Sequence, residues 1–135
     1  MTKTFYLATP YSKQRTHAQA YLDALAAQVR LLNVGLDVFC PVVYFHPASI
    51  RMRERPHSFW MARCMPFLMA ADELLVVKMP GWENSEGIAE EMRLFKGLSK
   101  PIVHLGWPMT DLDVAMVLAR ESASDDLTLE SHFSL

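Results

Sequence analysis

A chain of 135 residues, 51% of them hydrophobic, has the material for one domain with its own core and is not a disordered polymer. A net charge of −2 gives no basic excess, which argues against a dedicated nucleic-acid binder that rests on phosphate neutralisation. No apolar run approaches the roughly 20 residues that a membrane span needs.

Thr4 to Ala8 reads as a first strand, followed by a Thr9-Pro10-Tyr11-Ser12 loop whose small hydroxyls suit an anion or a ligand hydroxyl. A helix is predicted from about Arg15 to Asn33, with Ala18, Leu22, Leu25, Val29 and Leu32 as its core stripe and Gly35 as its C-terminal cap. Leu36 to Cys40 reads as the second strand, closed by Pro41. Residues 41–57 carry Pro41, Pro47 and Pro56, with Arg51, Arg53 and Arg55 in alternation. A connection of that length suggests a lid or binding loop. The arginines read either as a solvated basic face or as a phosphate contact. His46 reads either as a structural histidine or as a ligand contact.

Ser58 is predicted to cap a second helix reaching about Ala71, with Trp60, Cys64, Phe67 and Ala71 inward. Pro66 should kink or break it. Glu73 to Lys78 forms the third strand, and the chain then turns through Pro80 and Gly81. A third helix runs from about Ser85 to Leu98, with Asn84 or Ser85 as its N-cap. Lys100 to Leu105 is a fourth short strand. Thr110 caps a last helix from Asp111 to about Arg120, with Leu112, Ala115, Met116 and Ala119 inward. Residues 1–121 are read as one domain and 122–135 as a polar tail.

Alternating strands and helices predict an α/β fold with a parallel sheet. The expected form is a flavodoxin-like three-layer sandwich of four or five strands in the order 2-1-3-4. The first and third strands are then central neighbours, and ligand should sit at their carboxyl ends. That topology brings the Thr9–Ser12 loop beside the Trp82–Ser85 turn. It also lets Tyr6 face the third helix. On that helix Ile88, Met92 and Phe95 mark the core side, and Glu91 lies only about 60° from Ile88 at about 100° per residue. Glu86, Glu90 and Arg93 point the other way. Glu91 is therefore the carboxylate aimed inward, where burial would raise its pKa. It reads either as an edge carboxylate held by a partner or as a functional group.

No metal or other cofactor is expected, because His17, His46, His57, His104 and His132 lack ligand spacing. Cys40 and Cys64 sit in apolar surroundings and are expected to be reduced, in a cytoplasmic protein. The opening Met1-Thr2-Lys3-Thr4 leads into a strand and does not read as a signal peptide.

Tyr6-Leu7-Ala8-Thr9-Pro10-Tyr11-Ser12 resembles the opening strand and loop of the nucleoside 2-deoxyribosyltransferase superfamily. Gly81-Trp82, then Ser85-x-Gly87-x-x-x-Glu91, resembles that superfamily's second motif. The nearest resemblance is to an uncharacterised bacterial and phage branch, over about residues 4–105. It implies N-glycosidic chemistry on a (deoxy)ribonucleoside or its 5′-monophosphate. Glu91 would attack the anomeric carbon and Tyr6 would orient it. Ser85 and Gly87 would contact sugar or phosphate, with Ser12 and Arg15 as further phosphate candidates. Thr9 lies in the same loop, and Tyr11 and Trp82 are candidates to stack on a base. The resemblance also implies a homo-oligomer, dimer or tetramer, and the Met-rich second helix would suit its interface.

Two departures stand out. Met61-Ala62-Arg63-Cys64 puts an arginine where many members carry an acid that helps bind or protonate the base. Glu91 is followed by Met92-Arg93 instead of the usual Leu-Gly. The alternative is a non-catalytic nucleotide or sugar-nucleotide binding module on the same fold.

Overall fold

The β-rich runs become β1 (Thr4–Ala8), β2 (Asp37–Phe39), β3 (Glu73–Val77) and β4 (Ile102–Leu105). A computed structural model describes residues 2–133 of the chain, with side-chain surroundings for 2–123. The four strands form one all-parallel sheet in the order β2-β1-β3-β4. Five helices flank it: α1 (His17–Leu32), α2 (Pro41–Ser49), α3 (His57–Ala70), α4 (Glu86–Gly97) and α5 (Asp111–Phe133). This is the flavodoxin-like three-layer arrangement expected from the pattern, with four strands.

Side chains alternate across a strand, so each central strand feeds two cores. Phe5, Leu7, Leu75 and Val77 meet Ala24, Ala27 and Leu31 of α1 and Val114 and Val117 of α5 on one side. Tyr6, Ala8, Leu74 and Val76 meet Met61, Cys64 and Leu68 of α3 and Ile88 and Phe95 of α4 on the other. Every residue of β3 is buried, as a strand covered on both faces requires. Glu73 is included in that burial at 1% exposure. It is held by Lys3 and by Arg120 of α5, which satisfies its charge.

Helix faces are where the sequence reading fails. In α1 the buried residues are Ala20, Ala24, Ala27 and Leu31. Ala18 is exposed, Leu25 is partly buried, and Leu22, Val29 and Leu32 are 55%, 43% and 47% exposed. The helix is apolar nearly all round, and its small alanines, rather than its leucines, allow close approach to the sheet. In α5 the buried pair is Val114 and Val117, while Leu112, Ala115, Met116 and Ala119 are exposed. In α3 the inward residues are Met61, Cys64 and Leu68, with Trp60 and Phe67 only partly covered.

Proline misled the reading as well. Residues 41–49 form α2, not a lid loop, with Pro41 at its first turn, where the missing N–H costs nothing. Pro56, not Ser58, occupies the cap position of α3. That helix passes Pro66 without a break; both Pro66 and Ala62, one turn earlier, are exposed, so the freed carbonyl faces water. The first helix begins at His17 with Thr16 as its cap, whose hydroxyl accepts from Gln19 N–H. Finally, α5 continues to Phe133, through much of the stretch read as a tail, because no Gly or Pro interrupts it. Among the described residues no helix is long and apolar enough to cross a membrane.

Candidate functional site

The site is built where β1 and β3 lie side by side and their outgoing chains separate. After Ala8, Thr9 and Pro10 stay buried, and Thr9 Oγ1 lies 3.9 Å from Cys40 Sγ at the start of α2. After β3, Gly81 takes φ +91°, a conformation that favours glycine. A Cβ on Gly81 would lie 2.5 Å from the Lys13 carbonyl oxygen, so the β3 turn and the β1 loop are in direct backbone contact. Gly81→Ala should therefore cost about 1–3 kcal/mol from backbone strain alone, before any loop displacement. Denaturant unfolding reads this out; an unchanged midpoint would contradict the close approach.

A short 3-10 turn, Trp82–Asn84, follows, and Ser85 then caps α4 by accepting from Ile88 N–H at 3.3 Å. Of the two caps anticipated, Ser85 is the one used. The next turn of α4 carries Glu91 inward, where it is 5% exposed. Burial pushes its carboxyl up to about 8; the Tyr6 hydroxyl pulls it down somewhat, and Glu90 pushes it further up. Tyr6 is fully buried in β1, and burial with Glu91 beside it drives its phenol well above the ordinary range. The Tyr6 hydroxyl stands close enough to Glu91 and Cys64 to act on both, but without a hydrogen bond of good geometry to either. A buried hydroxyl without a partner is costly, and a ligand that engages the neighbouring carboxylate would let it close that bond.

These groups line one cavity of about 740 Å³, within the usual range for a small-molecule site. Thr9, Tyr11, Ser12, His46, Ser85, Gly87 and Glu91 all face it, and Tyr6 lies just beneath. Two candidates are not brought to that lining. Arg15 is exposed and does not line the cavity. Trp82 also lies outside the lining; it packs edge-on against His104, with ring centres 5.7 Å apart, and against the core that holds Tyr6 and Ile88.

His46 is better placed than a lone histidine suggested. It is 9% exposed, and its Nδ1 is 2.7 Å from the Tyr11 hydroxyl. Its ring stacks on Tyr21 at 4.7 Å, while His17 stacks on Tyr11 at 4.2 Å. Burial and the facing His17 hold its pKa below the ordinary value. Neither partner was legible, because Tyr11 lies 35 positions away in sequence and Tyr21 is on another helix.

The α2–α3 connection forms the outer wall. Arg53 and Arg55 line the cavity while Arg51 does not, and Lys13 joins them from the β1 loop. None of these three lining cations has an ion-pair partner among the described residues. Lys13 carried no signal in the sequence; its role follows from the contact with Gly81. Of the segment where an acid was sought, Met61 and Cys64 face the cavity. Arg63 is exposed, its guanidinium 3.6 Å above the Phe59 ring and donating to the Phe59 carbonyl. Burial pushes the Cys64 thiol up to about 11, so it is neutral at ordinary pH. Both cysteines are free and buried. Among the described residues no group of three or more potential ligands converges on a metal position; the His132 side chain lies outside them.

Fold and cavity together define a class: a three-layer α/β domain with one desolvated carboxylate in the crevice at its strand-order reversal. The chain belongs to the family described as "Domain of unknown function (DUF1937)", whose model matches residues 3–107. That match contains all four strands and every residue lining the cavity. No curated protein matches the chain.

Proposed function

We propose that this protein cleaves or exchanges the N-glycosidic bond of a (deoxy)ribonucleoside or its 5′-monophosphate, with Glu91 as nucleophile. The observation that carries the reading is Glu91 itself, a desolvated carboxyl opening into a cavity large enough for a nucleoside monophosphate, beside the unpaired hydroxyl of Tyr6. It agrees with the resemblance of the Tyr6–Ser12 and Gly81–Glu91 segments to nucleoside 2-deoxyribosyltransferases.

The chemistry is a double displacement. The ionised Glu91 oxygen bonds to the anomeric carbon as the bond to the base nitrogen breaks, and the base leaves with the bonding pair. Water or a second base then attacks the same carbon and releases Glu91. Tyr6 donates to the carboxylate and fixes which oxygen attacks. The first N–H groups of α4, at Glu86 and Gly87, and the loop hydroxyls of Thr9 and Ser12 receive the sugar oxygens. Lys13, Arg53 and Arg55 favour a phosphorylated substrate, since they bring unpaired positive charge to the same cavity.

The test is release of free base from a panel of nucleosides and 5′-monophosphates, followed by chromatography. Cleavage of at least one member is expected, with monophosphates preferred. No release from any member contradicts the proposal. One observation favours a second reading: with Arg63 turned outward, α3 offers no carboxylate to the base. A nucleotide-binding module without turnover would then bind a monophosphate equally well after Glu91→Gln and yield no product.

A further inference from the structure

N-glycoside cleavage leaves an electron pair on a poor leaving group, and a base nitrogen or carbonyl must be protonated as it departs. Resting on the reading above, we propose that His46 is the general acid that protonates the leaving base, with Tyr11 holding its ring in place.

His46 is singled out among the groups of the cavity by exposure, pairing and position. Glu54 and Glu86 are exposed carboxylates. His57 is committed to Glu90, with Nε2 3.0 Å from the carboxylate. His17 is exposed and lies flat against Tyr11. Tyr6 serves Glu91. His46 alone among the lining histidines is buried, and it is fixed on two sides: Nδ1 by the Tyr11 hydroxyl and one ring face by Tyr21. Its other nitrogen, Nε2, has no partner among the described residues, and the side chain lines the cavity that Glu91 enters. A ring nitrogen without a protein partner on a cavity wall is open to a hydrogen bond from a ligand group.

His46 enters as imidazolium, its Nδ1–H donating to the Tyr11 oxygen and its Nε2–H directed at the base. As Glu91 bonds to the anomeric carbon, the pair from the broken C–N bond goes to the base. The Nε2 proton passes to the base nitrogen or its carbonyl oxygen, and His46 is left neutral. The productive enzyme thus has the charge on Glu91 and the proton on His46. The burial and the nearby His17 that weaken His46 as a base make its imidazolium a stronger acid. The arrangement supplies from α2 the acid that α3 lacks.

The test compares leaving groups on one sugar. Wild type, His46→Gln and Tyr11→Phe are assayed on a base-bearing substrate from the panel and on the same sugar carrying 4-nitrophenolate, which departs without a proton. His46→Gln is expected to slow base release about 10²–10⁴-fold and to leave nitrophenolate release within about threefold of wild type. Tyr11→Phe, which keeps the ring and its stacking, should show the same selectivity with a smaller loss. Equal slowing on both substrates in both variants would overturn the role of His46 while leaving the glycosidic reading intact. Wild type inactive on both substrates would overturn the glycosidic reading and this proposal together.

Discussion

Glu91→Gln is expected to lower base release by at least about 10³-fold while leaving the fold and nucleotide binding in place. Glutamine fills the same volume and can still accept from Tyr6, but its amide oxygen is a far weaker nucleophile than a carboxylate. Removing one member of a unit that forms a covalent intermediate costs several orders of magnitude, because the remaining groups only position the substrate. The loss should fall on kcat, with KM for a monophosphate changed little, since Lys13, Arg53, Arg55 and the α4 N-terminus are untouched. A loss in KM alone would make Glu91 a binding residue.

The same variant should become more stable than wild type as pH rises. Glu91 titrates near 4.5 when exposed and near 8 in the fold. The folded state holds the proton more tightly, so the stability linked to it is complete below 4.5 and is lost as pH rises through about 8. The substituted glutamine has no proton to lose. Wild type and variant should therefore unfold alike in mild acid, with the variant ahead by a few kcal/mol at about pH 9. Paired denaturant melts across that range read the difference directly. A gap that does not change with pH would mean that Glu91 is solvated or paired. This outcome is independent of catalysis and tests only the burial on which the chemistry depends. In wild type, which needs the His46 imidazolium as well as ionised Glu91, kcat/KM should be level between the lowered His46 pKa and about 8 and fall above it, whereas in His46→Gln, which needs only ionised Glu91, it should rise with pH toward about 8.

The inward Glu91 was readable because α4 has a clear apolar centre at Ile88 and Phe95, and a carboxylate one position off that centre has only one place to go. The burial of the third strand was readable for a similar reason: Leu74 to Val77 is apolar without alternation, as a strand covered on both faces must be, while strand order followed from the alternation of strands and helices. In α1 and α5 the pattern gave the wrong face. Apolar residues surround much of each helix, and close packing on the sheet selected Ala20, Ala24 and Ala27 over the larger Leu22 and Val29. Pro41 and Pro47 hid α2 altogether, and with it the setting of His46. The His46–Tyr11 bond and the Lys13–Gly81 contact join segments distant in sequence, and no local pattern records such pairs.

The central claim is a covalent bond between Glu91 and a sugar. It is tested most directly by mass spectrometry of the protein after incubation with a 2-fluoro analogue of the cleaved substrate, which slows breakdown of the ester. A sugar-mass adduct on the peptide that carries Glu91, absent from Glu91→Gln, is the expected result. Base release with no adduct, or an adduct on another residue that survives Glu91→Gln, would contradict it.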